Sequence, residues 1–378
     1  MDATLKKISQ HSIDWLLLFF TIPLFAMGLL TMSSFGGDNY FFNRQIIWFV
    51  VAIIIFFIAS LIDWRFLRRS GVVFSLYLLS ILLLALLFIL GQVTNGAQSW
   101  FNLFGVSFQP ADLMKLALIF LLAKYFTRRH VEIAHFRHII ISGLYALIPF
   151  ALVLIQPDFG SALIIFMIWL GMIVVSGVPK KHLLLLFGLA AVALSLSWFF
   201  IFHPYQKQRI ITFIDPLADI RGAGYNAYQS KVAFGSGQIF GKGVGFGTQS
   251  RLKFLPEYQT DFIFSSFAEE WGFVGVMLVF LLYGGIIWRI LKIASLGASN
   301  FETLFGLGLA IYLMSHFVVH VGMNIGILPV TGLPLPFMSY GGSHLLMEFA
   351  GLGILMGMKR YNLPYHREDI HNEFVGPQ

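Results

Sequence analysis

Gly71-Val-Val-Phe-Ser-Leu-Tyr-Leu-Leu-Ser-Ile-Leu-Leu-Leu-Ala-Leu-Leu-Phe-Ile-Leu-Gly91 runs its whole length without a charge. As a helix rising 1.5 Å per residue it would cross the ~30 Å hydrocarbon core of a bilayer. A soluble domain can bury one such segment, but outward from it the pattern recurs along the whole chain. Trp15–Met32, Gln45–Ile62, Leu113–Phe126, Ile139–Ile155, Gly160–Val178, Leu183–Phe202, Phe262–Ile287, Thr303–Ile325 and Ser343–Met358 have the same character. They predict an all-α, polytopic membrane protein with about ten transmembrane helices in a single domain spanning residues 1–378. Leu113–Phe126 is short and contains Lys115. The first run follows Lys6 and Lys7 as a signal sequence would, yet it lacks a small-residue cleavage site and suits an uncleaved first helix.

Composition agrees. Of 378 residues, 58% are hydrophobic and 11% charged, and mean hydropathy is +0.80; soluble domains carry about 25% charged residues. There is no cysteine, so disulfides and thiolate chemistry are excluded. The net charge of +7 does not point to nucleic acid, because cytoplasmic loops of membrane proteins collect Lys and Arg. With the N-terminus inside, cytoplasmic segments hold sixteen of the 25 basic residues and the short outer loops hold only Arg44. Both termini are therefore expected in the cytoplasm, with a tail over residues 359–378.

Between spans 7 and 8 lies one long extracytoplasmic loop, residues 203–261. It holds Lys207, Arg209, Arg221, Lys231, Lys242, Arg251 and Lys253 among many glycines. Base concentrated on the translocated face opposes the usual bias and suits an anionic substrate at the outer leaflet, although a long loop tolerates any charge. The stretch Gly241-Lys-Gly-Val-Gly-Phe-Gly247 fails as a P-loop, since Ser236 stands where the first glycine belongs and Gly243 where Ser or Thr would bind Mg²⁺. A flexible turn is the plainer reading, with Lys242 free to meet a phosphate.

Charged residues inside spans cost at least ~2.5 kcal/mol each near the bilayer centre and face protein or a wet cavity. Asp112 and Lys115 share one helix face just after Gln109-Pro110, and a structural ion pair is the competing reading. Asp261 closes the basic loop at the start of span 8, where it is either a helix cap or a site carboxylate. Further in, Glu269 is expected to look toward the same site, while Glu270 lies on the opposite helix face. His316 and His320, and likewise His344 and Glu348, are spaced for helix-to-helix hydrogen bonds. Asp158 is placed to cap span 6. The last outer loop, Asn324 to Ser343, has no charge but several prolines and glycines, a composition tolerated at membrane depth only against protein or a cavity.

Four segments give the chain a resemblance to the SEDS family of RodA/FtsW-type cell-wall polymerases and flippase-like proteins. They are Asn95–Trp100 with Gln109–Lys115, Gln156–Gly160, Gly224–Asp261 and Gly332–Ser343. The resemblance covers nearly the whole chain, and Gly247–Ser250 with the Leu-Pro-Leu-Pro stretch looks more like the RodA side of the family. Two positions depart from its pattern: Asp112 where Glu is usual, and Ser99 where Arg commonly precedes the Trp. The resemblance implies a peptidoglycan glycosyltransferase that polymerises lipid II at the outer face of the bacterial cytoplasmic membrane during cell elongation. It implies Asp261 as the essential carboxylate, and Gln109, Asp112, Lys115, Arg209, Lys231, Lys242 and Ser339 as substrate or pyrophosphate contacts. Asp158, Glu269 and Trp100 would support them. Mg²⁺ or Mn²⁺ would assist, with no nucleotide or organic cofactor. Expected partners are lipid II, a class B penicillin-binding protein and other elongation-complex membrane proteins. Polyprenyl pyrophosphate leaves as a stable anion, so a single general base suffices where a glycosidase needs two carboxylates. A lipid II flippase and a non-catalytic scaffold for the penicillin-binding protein are the alternatives.

Overall fold

The computed structural model describes residues 13–34, 40–94, 97–103, 106–129, 136–179 and 223–360, with a few isolated residues between 181 and 215. Long helices dominate: α1 (Trp15–Ser34), α2 (Tyr40–Leu61), α3 (Ser70–Leu90), α4 (Pro110–Arg129), α5 (Phe136–Ile155) and α6 (Phe159–Val175) in the first half. The second half contributes α7 (Ala223–Ser236), the single turn α8 (Thr248–Arg251), α9 (Ile263–Ser295), α10 (Asn300–Ile325) and α11 (Gly342–Lys359). Six of these are long and apolar enough to cross a membrane: α1, α2, α3, α5, α9 and α10. The expected seventh span, Leu183–Phe202, lies largely outside the described residues.

α4 and α10 form the centre of the bundle. α4 packs against α3, α5, α6, α10 and α11, and α10 also meets α6, α7 and α9. Their burial explains why α4 reads weakly as a span: it faces protein on all sides, so its polar residues are paired with neighbours rather than exposed to lipid. Its true length exceeds the Leu113–Phe126 expected, because Pro110 opens the helix where a missing N–H costs nothing.

The all-α expectation holds for the bundle, which carries one small addition. Between α3 and α4 stands a small antiparallel sheet, β1 (Gln92–Thr94), β2 (Ala97–Leu103) and β3 (Val106–Phe108) in sequence order. Gln92 pairs with Trp100 and Phe101 with Phe108. Asn95-Gly96 between the first two strands is the strongest short hairpin signal a sequence offers.

A second feature was invisible in the hydropathy. α9 runs for 33 residues but breaks at Gly272 (φ 65°, ψ −165°). The basic loop docks its backbone onto the break. Lys242 N–H donates to Glu269 O (2.9 Å), Gly243 N–H to Glu270 O (3.0 Å), Phe273 N–H to Gln238 O (2.8 Å) and Val274 N–H to Ile239 O (3.1 Å). A Cβ on Gly237 would stand 1.9 Å from Ala268 O, and one on Gly241 2.1 Å from Glu270 O. The glycines are there so that two backbones can touch.

Candidate active site

Asp261 sits in the turn that leads into α9. It does not cap the helix: Phe262 occupies that position and no side chain caps it. The turn is gripped from two elements instead. Asn324 of α10 donates from Nδ2 to Asp261 O (3.0 Å), while its Oδ1 accepts from Ser265 N–H (3.1 Å). From the last outer loop, Ser339 Oγ–H donates to Thr260 O (2.8 Å) and Tyr340 N–H to Gln259 O (2.9 Å). Ser339 in turn accepts from Leu335 N–H (2.7 Å), and Gln45 of α2 donates to Ser339 O (3.0 Å). Two residues here hold left-handed backbone at a steric cost, Glu257 (φ 46°) and Phe337 (φ 63°).

The carboxyl of Asp261 faces Gly332 (φ 72°), where an added Cβ would lie 3.4 Å from Oδ2. Burial pushes its pKa up to about 7, and the neighbouring carboxylates of Glu257 and, more weakly, Asp158 add to the rise against a hydrogen bond from Thr260. An Asp with that pKa is half ionised near neutral pH and suited to taking a proton. Asp158 caps α6 as expected, accepting from Ser161 N–H (2.9 Å), and also accepts from Gln109 Nε2–H (2.9 Å). Gln109 N–H donates to Ser343 Oγ (3.1 Å) at the start of α11. A Cβ on Gly160 would lie 2.7 Å from Thr331 O. Segments more than two hundred positions apart in sequence thus close on one place.

Below this surface lies a buried polar network. Lys115 Nζ is 3.0 Å from Asp112 Oδ1 and 3.4 Å from His316 Nε2. Asp112 Oδ1 is 3.3 Å from His344 Nδ1, whose Nε2 is 2.8 Å from Glu348 Oε1. Glu348 accepts from Phe337 N–H (3.0 Å), and His320 Nδ1 meets Leu333 O (2.7 Å). The two His pairs therefore do join helices, and they also hold the proline-rich loop. Lys115 itself is 1% exposed, so reaching a pyrophosphate would require opening its pair.

Three other expected residues are placed as follows. Glu269 does not look toward Asp261. Its carboxylate takes Lys242 Nζ–H (2.7 Å), Thr248 N–H (2.9 Å) and Gln249 N–H (3.1 Å), while Glu270 accepts from Gly245 N–H (3.0 Å) and from Ser34 of α1. A helical-wheel argument separates the two acids, but the loop wraps the broken helix and engages both. Lys231 on α7 lies against Gly326. Trp100 lies half-buried in β2. Arg209 falls outside the described residues. Among the described residues no three acidic or His side chains gather to hold a metal ion. Glu257, Asn324 and Gln45 were not singled out in the sequence; Glu257 stands within the segment Gly224–Asp261, whereas the other two carry no local signal.

The model of the cell cycle protein family FtsW/RodA/SpoVE matches residues 11–363. The chain belongs to this family. Among its FtsW/RodA/SpoVE relatives, the peptidoglycan glycosyltransferase MrdB of Escherichia coli K12 is 37% identical over 92% of this chain and 93% of its own. Stage V sporulation protein E of Bacillus subtilis is 35% identical over 95% and 99%. A solved chain from a peptidoglycan synthase complex that coordinates polymerization and crosslinking superposes with a TM-score of 0.81 at 34% identity, covering 93% of this chain and 99% of that one. The rod shape determining protein RodA of Thermus thermophilus gives 0.70 at 32%, covering 93% and 98%. The SEDS resemblance, its RodA leaning and the helical membrane fold are thereby established.

Proposed function

We propose that Asp261 is the general base with which this peptidoglycan glycosyltransferase links lipid II units into glycan strands, at the outer face of the bacterial cytoplasmic membrane, for cell elongation and rod shape. The acceptor's 4-hydroxyl oxygen attacks the donor's anomeric carbon. The bond from that carbon to the pyrophosphate oxygen breaks with inversion, polyprenyl pyrophosphate leaves with the electron pair, and the hydroxyl proton passes to the Asp261 carboxylate. The observation that carries this reading is a carboxyl that faces Gly332 from a turn fixed by α10 and the last outer loop, with burial raising its pKa. Gln109, Asp158 and Ser339 frame the turn. Lys231 has no ion pair or hydrogen bond among the described residues and is a cation available to a pyrophosphate, with Lys242 and Arg209 as further candidates.

A divalent cation, Mg²⁺ or Mn²⁺, is proposed to arrive with the pyrophosphate, the way Mg²⁺ usually binds through substrate phosphates; no step above is routed through it. Both termini are placed in the cytoplasm on the charge bias. A class B penicillin-binding protein is the proposed partner, supported by the likeness to a synthase-complex chain.

The test is purified protein in lipid vesicles given lipid II, with products separated by length. The native chain should yield long glycan. Asp261→Asn should lose about 10²–10⁴ of the rate, the scale of a general base, while still binding lipid II. Full-length glycan from Asp261→Asn would overturn the assignment.

A further inference from the structure

Beside the docked glycines, the basic loop exposes an apolar tip. Phe240 is 81% exposed and Phe246 68%, and Ile239 and Val244 are also open. In an aqueous loop such a cluster is unfavourable, and the height of the tip can be fixed from its hydrogen bonds. Ile239 accepts from Val274 N–H and Gln238 from Phe273 N–H, so the tip lies level with residues 273 and 274 of α9.

The opposite end of α9 is marked by Trp288, Arg289 and Lys292, residue types that mark a membrane boundary. A span needs about 20 residues, so the other boundary falls near Ala268. Exposure agrees. Every residue from Ile263 to Glu270 is buried in protein, whereas Phe273, Val274, Met277 and Leu281 are exposed apolar residues. The lipid-facing belt of α9 begins directly after the kink, and the tip adjoins its first turn. Arg251 and Lys253, both exposed, follow within the same loop and supply cations of the kind that sit at phosphate headgroups.

We infer that residues 239–246 dip into the outer leaflet as an interfacial wedge, and that the occupant of this apolar surface is the bilayer itself. Amphipathic elements of this kind bury their apolar face ~5–10 Å into the headgroup boundary. From the wedge the chain passes through α8 into the turn holding Asp261, so the leaflet would set the height of that turn.

The chain has no cysteine, so single cysteines can be spin-labelled without background. Phe240→Cys and Phe246→Cys are compared in phosphatidylethanolamine–phosphatidylglycerol vesicles, with no partner protein present. Val274→Cys, exposed at the height of the tip, serves as the lipid-facing reference and Asp63→Cys as the aqueous one. Collision with oxygen against a water-soluble nickel chelate should match Val274→Cys at both tip positions. Nickel access equal to that at Asp63→Cys would overturn the wedge and leave the tip as a surface for a protein partner. These variants lie outside the catalytic turn and the readout needs no turnover, so failure here is separable from failure of the Asp261 reading.

Discussion

At Asp261 the local charges and the chemistry can be set against each other directly. An ordinary aspartate is ionised at neutral pH but is a feeble base; one held at about 7 by burial and by Glu257 accepts a proton more readily while remaining half ionised. Polymerisation should therefore lose its kcat/KM as pH falls through about 7, because the base becomes protonated. Glu257→Gln removes one source of the upward shift, so the acidic limb should move to lower pH. A pH profile of the Glu257→Gln enzyme that overlays the native one would sink the idea that Glu257 tunes the base. Asp261 was legible in the sequence because it ends a basic loop inside a distinctive motif. Glu257 stood four positions away in the same motif, but only the left-handed turn brings its charge to bear. Asn324 looks like any span residue until its side chain is seen holding both Asp261 and Ser265.

At the scale of elements, hydropathy found the helices and missed what interrupts them. A window average smooths over a single Gly272, and short strands between two spans carry too few residues to register a period of two. The glycine run looked like a flexible turn, yet Gly237 and Gly241 stand where backbone meets backbone. Gly241→Ala would place a Cβ 2.1 Å from Glu270 O at a φ of 78°, so the loop must undock. A loss on the scale of about 1–3 kcal/mol, as for overpacked cores, should appear as a lower melting temperature in detergent. Gly235→Ala is the comparison. It sits in α7 with nothing within 4 Å and should be neutral or stabilising, since Ala favours a helix by about 1 kcal/mol over Gly. Equal behaviour of the two variants would mean that the docked geometry is not populated.

For the molecule as a whole, the buried network connects the middle of the helix bundle to the proline-rich loop. Asp112 and Lys115 come from α4, His316 and His320 from α10, His344 and Glu348 from α11, and the network ends on the backbone of Leu333 and Phe337. Each pair was visible as a helical spacing, but sequence offers no way to see three helices meeting. Lys115→Met leaves Asp112 as a buried carboxylate that has lost its strongest partner, and breaking such a pair costs about 3–5 kcal/mol. The variant should melt earlier and polymerise poorly. Replacing both residues, Asp112→Leu with Lys115→Met, removes the stranded charge and should return most of the thermal stability, since apolar replacement of a buried ion pair is often neutral. Activity should stay low in that double variant, because His316 and His344 lose the α4 partners that join the three helices beneath the proline-rich loop. Melting temperature and glycan synthesis are measured on the same three preparations. Recovery of both together would show that the pair is an isolated structural salt bridge with no connection to the site above it.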